Sequence, residues 1–188
     1  MVIDINYNSN FQDLIKKYPD FWRKKQLKEG KFILEAGDVA NKNFFVESGI
    51  LRAYHYDTEK DKEIITGFFS ADDTIIFYRS FAESITMYLN FEVIEDATIW
   101  EIDAYRWDKI EASEPKLHEL LHKEYDIVIR RLVEYTMTRN KYDAIERYNL
   151  FMRSRSYANR IKIEYIAAYL GITPNTLYHL RGKPARKR

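Results

Sequence analysis

The stretch RIKIEYIAAYLGITPNTLYHLRGK, from Arg160 to Lys183, predicts two short helices joined by a tight turn. The first helix, 163–170, repeats its apolar residues at the spacing of one helical face. Gly171 follows at a position where a helix can end in the left-handed conformation. Thr173 then offers an N-cap hydroxyl, and Pro174 stands at the first helical position, where its missing N–H costs nothing.

These features together are typical of a helix-turn-helix, whose second helix enters the major groove of DNA. Ala167 is small where the two helices cross, and Ile172 is expected to bury the corner. Leu177 and Leu180 turn the second helix inward, which leaves its polar side facing out. An ordinary helical hairpin shares two or three of these features, but rarely all of them in one register. The sequence therefore favours DNA binding.

Asn175 and His179 are expected to touch bases, because asparagine can bind adenine through N6 and N7. Tyr178 is expected at a thymine methyl or a backbone oxygen. A solvated position is the alternative for Tyr178 and His179, since base-reading positions are a minority. The expected phosphate contacts are Thr173, Thr176 and Arg181, with Arg160 and Lys183 as flanking charges.

The charge distribution supports the same prediction. From Arg153 onward the chain has nine Lys or Arg against the single acid Glu164, a balance of +8. Because the whole chain carries +1, the residues before Arg153 sum to −7. A near-neutral total thus hides a basic pole of the kind that binds phosphates.

The composition excludes several other classes. A chain of 188 residues, 46% of them hydrophobic, can hold one mid-sized domain and a smaller one. With no cysteine, disulfides, thiolate zinc sites and iron–sulfur clusters are excluded. No apolar run is long enough to span a membrane, and no leader is visible, so a soluble cytoplasmic protein without a cofactor is expected.

The first two thirds of the chain change pattern at Lys31. Met1 to Leu27 is expected to be helical, with Phe11, Leu14, Ile15 and Tyr18 on one apolar face and a break at Pro19. The segments that follow are short and rich in β-branched and aromatic residues: KFILEA, NFFVES, ILRAYHY, KEIITGFF, MYLNFEVIE and ATIWEID. Such a series predicts a β-sandwich or jelly roll, and hence an α+β chain. We expect a sensor over 1–114, a helix over 115–140 and a DNA-binding domain over 141–188.

The helix over 115–140 carries an apolar stripe whose mean spacing suits a left-handed coiled coil. Its members, which we predict to form a dimer seam, are Leu117, Leu121, Tyr125, Val128, Leu132 and Tyr135. Leu120, Ile127 and Ile129 form a second apolar side that is expected to pack on the sandwich. The alternative is a helix that folds entirely onto its own domain. A connecting helix is expected over 143–155.

Three segments carry a resemblance to a known family: FFVESGILRAYHY around Gly49 and Arg52, the triplet Glu146-Arg147-Tyr148, and IAAYLGITPNTL. In this order the chain resembles the Crp/Fnr family of bacterial transcription regulators. The resemblance implies a jelly-roll sensor of the cyclic-nucleotide-binding type, a long dimerisation helix and a C-terminal all-α winged-type helix-turn-helix. It also implies a homodimer on double-stranded DNA, with RNA polymerase as a further candidate partner.

The ligand site departs from that resemblance. Cyclic-nucleotide-binding members hold the ribose and phosphate with a Gly-Glu pair and a downstream Arg-Ser or Arg-Ala pair. The segment FFSADDTIIFYRSFAESITMYL lacks the first pair and has Glu83-Ser84 at the second, where a carboxylate would repel phosphate. We therefore expect another effector or none. The candidate pocket residues are Arg79, Ser80, Glu83, Ser84 and Tyr88.

One string suggests an enzyme instead. His118-Glu119-Leu120-Leu121-His122 is a literal H-E-x-x-H, which on a helix can bind zinc and activate water. However, the charged Lys123 follows the second histidine, and Leu120 and Leu121 also belong to the packing stripes. We expect no metal and no catalytic residue, and keep a zinc hydrolase only as the alternative.

Overall fold

The N-terminal part of the chain folds around two long antiparallel strands. The computed structural model describes residues 11–77 and 86–181. Its strands are β1 (Arg23–Leu27), β2 (Phe32–Leu34), β3 (Lys42–Asp57), β4 (Lys62–Ser70), β5 (Thr74–Ile75) and β6 (Asn90–Asp103). The sheet order is β1-β6-β3-β4, while β2 also pairs with β6 and β5 with β3. This antiparallel arrangement is the expected jelly-roll-like sensor.

The two central strands are longer than the sequence pattern predicts. NFFVES and ILRAYHY were expected as separate strands, but they form the single strand β3. Gly49 lies at the join with φ +89°, and a Cβ there would meet the Cα of Ala97 at 2.5 Å. It therefore bends the strand in a bulge without ending it. MYLNFEVIE and ATIWEID likewise contribute to one strand, β6.

Within the described residues, the N-terminal helix ends at Lys17, and the segment after Pro19 is not helical as far as Leu27. Helix α1 spans Phe11–Lys17, a 3₁₀ turn covers Pro19–Phe21, and residues 1–10 lie outside the described part. The prediction was wrong for β1, whose residues RKKQL pair with the 97–101 stretch of β6. Pairing with β6 decides this segment, since a short, lysine-rich strand is well suited to the exposed edge of a sheet.

Helix α2 (Ala104–Ser113) follows β6 directly and is capped by Asp103, whose carboxylate accepts a hydrogen bond from the Arg106 N–H at 3.0 Å. The long helix α3 (Pro115–Lys141) comes next, with close to the expected bounds. Leu117 and Leu121 are only 1% and 3% exposed, because they pack with Phe11 in the sensor's own core. The sequence predicts Leu117 and Leu121 in a dimer seam. Their burial in the sensor core leaves them out of reach of a second copy.

Beyond Leu121 the helix α3 leaves the sensor core and its apolar side chains become exposed. Ile129, expected to pack on the sandwich, is one of them, so that expectation was also wrong. The exposed apolar residues of α3, here called the α3 stripe, are Tyr125, Val128, Ile129, Leu132, Val133 and Met137.

The C-terminal module is helical throughout its described residues. It comprises α4 (Ala144–Ser154), a 3₁₀ turn (Ala158–Arg160), α5 (Ile163–Leu170) and α6 (Pro174–Arg181). Asp143 and Glu146 form a complete capping box at the start of α4. No strand occurs within 142–181, so this part of the module has the all-α form.

The module packs on the outer face of the sensor sheet. Tyr54, Ile65 and Phe68 of the sheet share one buried cluster with residues of α4, α5 and α6. The opposite, inner face of the sheet forms a separate apolar core that includes Phe44, Phe91 and Val93. The sheet thus has a core on each side, and the module covers one of them.

Candidate nucleic-acid interface

The turn between α5 and α6 has the geometry that its residues predict. Gly171 ends α5 with φ 70° and ψ 32°, and its N–H donates to the Ala168 carbonyl at 3.1 Å. The Thr173 hydroxyl accepts the backbone N–H of Thr176 at 3.1 Å, so Thr173 caps α6. Pro174 is the first residue of α6. These local features fix the entry of the second helix.

The two faces of α6 differ as a reading helix requires. Leu177 is fully buried and packs in the cluster that contains Ala167 of α5. Asn175 and His179 are both exposed and stand four residues apart, on one side of the helix. Tyr178 is also exposed, and its hydroxyl lies 3.5 Å from a Glu164 carboxylate oxygen. The side chain of Arg181 and all of Lys183 lie outside the described part.

Two basic residues at the start of the helix-turn-helix pair with the sensor instead of standing free. Arg160, expected as a flanking charge for DNA, donates to Glu95 at 2.6 Å. Lys162 donates to Glu29 at 2.7 Å, and this hydrogen bond raises the pKa of Lys162. Both pairs are solvent-exposed and therefore weak, so phosphate oxygens can compete for the same cations.

Arg52 of β3 lies at the contact between the sensor sheet and the helical module, a position that the sequence did not predict. It is 4% exposed, and its guanidinium donates to Glu92 at 2.8 Å and to Glu63 at 2.9 Å. Burial opposes its charge, but these hydrogen bonds outweigh burial and leave the pKa of Arg52 raised. The guanidinium also lies between the rings of Tyr54 (4.2 Å) and Tyr165 (4.0 Å). A buried cation thus joins the sensor sheet to α5.

An aromatic contact joins the end of α3 to the module. The rings of Tyr135 and Tyr169 are 5.4 Å apart, and Tyr169 in turn packs on Phe151 and Phe68. Tyr135 was predicted to lie in the dimer seam, but in this chain it is half-buried against its own module. It marks the junction of helix and module.

The expected effector pocket is only partly within the described residues. Arg79, Ser80, Glu83 and Ser84 lie outside them. Tyr88 is 69% exposed, so its side chain lies on the surface and does not line the interior of the sheet. The inner core is filled by aliphatic and aromatic side chains.

The H-E-x-x-H string lies on the outside of α3. His118 and His122 are exposed, and the nearest carboxylate pairing with His118 is that of Glu111 at 3.7 Å. Glu119 pairs with Lys123 on the next turn at 2.7 Å. Among residues 11–77 and 86–181 no group of three His, Cys, Asp or Glu is placed to hold a metal ion.

Known proteins resemble this chain in both sequence and fold. Residues 24–113 match the family described as cyclic nucleotide-binding domain. Electron transport regulator A of Shewanella oneidensis is 28% identical over 175 residues, covering 86% of this chain and 68% of that protein. The fumarate and nitrate reduction regulatory protein of Escherichia coli K12 is 26% identical over 180 residues, with the same coverages. A CooA mutant of Carboxydothermus hydrogenoformans superposes with a TM-score of 0.73 at 17% identity, covering 96% of this chain and 90% of that one.

A sensor domain of this type, joined through a long helix to a helix-turn-helix, defines a class of transcription regulators and not an enzyme. Residues 24–113 match a cyclic nucleotide-binding domain, and the chain as a whole is similar in sequence and fold to transcription regulators of the Crp/Fnr type. Within the described residues, no helix is both long and apolar enough to cross a bilayer.

Proposed function

We propose that this chain is a cytoplasmic, homodimeric regulator that binds specific DNA sequences through α6. The observation that carries the proposal is the polar, exposed face of α6, with Asn175 and His179 outermost on a capped and buried scaffold. In a helix-turn-helix this face meets base edges in the major groove. Asn175 would read adenine, while Thr173 and Thr176, with Arg181 at the end of α6 and Lys183 beyond it, would contact phosphates.

The homodimer is proposed to form through the α3 stripe. Its six apolar side chains recur along more than three turns of a helix whose base is fixed in the sensor core. A second copy can cover the same stripe by two-fold symmetry, which removes these side chains from water. Two modules would then face two half-sites about 34–36 Å apart or a multiple of that distance.

The sensor is proposed to respond to a ligand other than a cyclic nucleotide, or to none. In the described part of the sensor the inner core is apolar, and the sequence places Glu83-Ser84 where the Arg-Ser or Arg-Ala pair would be needed. Thermal shift of the full chain with cyclic AMP, cyclic GMP and a metabolite panel tests this, because a ligand of the native state raises Tm. A concentration-dependent rise in Tm with cyclic AMP would refute the exclusion. Contact with RNA polymerase is a further proposal from the family.

DNA binding is tested by selecting genomic fragments with the full chain and measuring affinity by fluorescence anisotropy across salt concentrations. Binding should weaken steeply with salt, because each phosphate contact releases counterions. Asn175→Ala should reduce discrimination at one base pair by about 1–3 kcal/mol. Asn41→Ala, at an exposed sensor asparagine, is the matched control. Equal loss on selected and random DNA for Asn175→Ala would argue against base reading.

The dimer is tested by sedimentation of the full chain and of Leu132→Glu, which places a charge in the middle of the α3 stripe. We expect Leu132→Glu to sediment as a monomer with an unchanged Tm of the sensor, because Leu132 makes no part of the sensor core. Arg130→Ala is the control, since Arg130 lies roughly opposite Leu132 around the helix. A wild-type monomer at concentrations that saturate DNA would contradict the dimer.

A further inference from the structure

Arg139, in the last turn of α3, holds its guanidinium against the turn of the helix-turn-helix. A Cβ built on Gly171 would lie 3.3 Å from Arg139 Nη2 and 3.8 Å from Cζ. The absence of a side chain at Gly171 therefore gives the guanidinium room to rest on the turn. Gly171 is only three residues before the start of α6 at Pro174.

The position of this guanidinium is fixed by the helix that carries it. Arg139 Nη1 donates to the hydroxyl of Tyr135 at 3.1 Å, one turn earlier on α3. Its Cζ lies 5.6 Å from the centre of the Tyr135 ring. Tyr135 is in turn held by the ring of Tyr169 in α5. The charge is thus pre-positioned, which lowers the entropic cost of using it to bind a ligand.

Among the described residues, Arg139 differs from three cations near the module, Arg160, Lys162 and Arg52, in having no acidic partner. Arg160 and Lys162 pair with Glu95 and Glu29, and Arg52 is buried between two glutamates. Across the described ranges 11–77 and 86–181, no carboxylate forms an ion pair with Arg139, and its side chain is exposed. A planar guanidinium held at the surface without a carboxylate suits a phosphate, which it can bind with two N–H donors.

We propose that Arg139 is an additional phosphate-contacting residue, supplied to the DNA interface by the long helix. The inference rests on the proposed DNA-binding function. In a helix-turn-helix the turn and the N-terminus of the second helix approach the DNA, and phosphates flank the bases that this end reads. A guanidinium on the Gly171 turn, two residues before the exposed N-cap residue Thr173, lies at that end of the module. The long helix then both pairs two copies and touches the duplex.

The test compares full-length wild type, Arg139→Ala, Arg139→Lys and the control Arg130→Ala, which removes an exposed arginine from the same helix. Anisotropy is measured on the selected site and on random DNA at several salt concentrations, and Tm is measured without DNA. Arg139→Ala should weaken binding to the selected site and to random DNA by a similar factor, on the order of 10-fold at low salt. It should also reduce the slope of log affinity against log salt by about 0.9, the loss of one phosphate contact. Arg139→Lys should keep most of the slope.

Tyr135→Phe provides a second readout, because it removes the hydrogen bond that holds Arg139 and leaves the charge. It should weaken binding by a smaller factor, with an unchanged salt slope. Wild-type-like affinity and slope for Arg139→Ala would overturn the inference and leave the proposed function intact. Weaker binding with a lower Tm and an unchanged slope would also overturn it, by showing a structural role. Wild-type protein that binds no DNA at all would overturn both proposals.

Discussion

Replacing Arg52 with methionine tests whether the buried cation holds the sensor and the module together. Arg52→Met keeps the apolar stem but removes the charge and all of its hydrogen bonds. It leaves behind Glu92, which is 14% exposed, and Glu63, which is 33% exposed. It also removes the stacking of the guanidinium on Tyr54 and Tyr165.

The cost of this change follows from what remains. Removing one partner of a buried pair costs about 3–5 kcal/mol, because the other charge stays buried without compensation. Because Glu63 is partly hydrated, the cost of leaving the two carboxylates unpaired lies at the lower end of that range. Each lost cation–π contact adds about 0.5–2 kcal/mol. We expect Arg52→Met to lower the free energy of unfolding by about 4 kcal/mol, and Tm by roughly 8–16 °C for a chain of this size.

The measurement is urea unfolding followed by far-UV circular dichroism, with thermal melts alongside. Lys24→Met is the control, because its pair with Glu47 is exposed and should contribute less than about 1 kcal/mol. Adding Glu92→Gln to Arg52→Met should recover part of the loss by neutralising the orphaned carboxylate. A loss below about 1 kcal/mol for Arg52→Met, or a double variant no more stable than the single one, would refute the reasoning.

Three further changes test other parts of the structure. Gly49→Ala should yield mostly insoluble protein, because its Cβ would overlap Ala97 and its φ of +89° disfavours a side chain; soluble expression and Tm check this. Burial raises the pKa of Glu124, so the contribution of this carboxyl to stability is greatest below pH 4.5 and is lost as the pH rises. Glu124→Gln should therefore raise Tm at pH 7 more than at pH 5. A variant whose Tm at pH 7 is equal to or lower than that of the wild type would contradict this. Glu95→Gln should release Arg160 and strengthen DNA binding, measured by anisotropy, by roughly 1.5- to 5-fold. Glu59→Gln is the control for the loss of a negative charge. Equal affinities for the two variants would argue against competition between Glu95 and DNA phosphates for Arg160.

The sequence predicts best where structure is decided locally. The residues Gly171, Thr173 and Pro174 each have a conformational or capping preference that acts over a few positions, and the structure places all three as expected. The bounds of α3 are likewise close to prediction, because its start at a proline and its helical spacing are local signals.

The sequence predicts less well where distant parts of the chain decide. Whether Gly49 ends a strand or bends it depends on the close contact with Ala97, which lies on another strand. Leu117 and Leu132 look equivalent in the stripe of α3, but only Leu117 has the sensor core beside it. Arg160 reads as a free positive charge until folding brings Glu95 next to it.

The length of α3 gives small movements of the sensor a large effect at the module. Its 27 residues form one continuous rod of about 40 Å, gripped near one end by the sensor core and touching the module near the other. From Leu121 to Arg139 the rod rises about 27 Å, so a tilt of about 5° at the grip displaces the far end by about 2.4 Å. The same tilt moves Arg131, about 15 Å from the grip, by about 1.3 Å relative to Asp73 of the sensor, with which it forms an ion pair. The sweep at the far end exceeds the tolerance of a hydrogen bond, so a slight rearrangement of core side chains suffices to reposition the arginine at the turn.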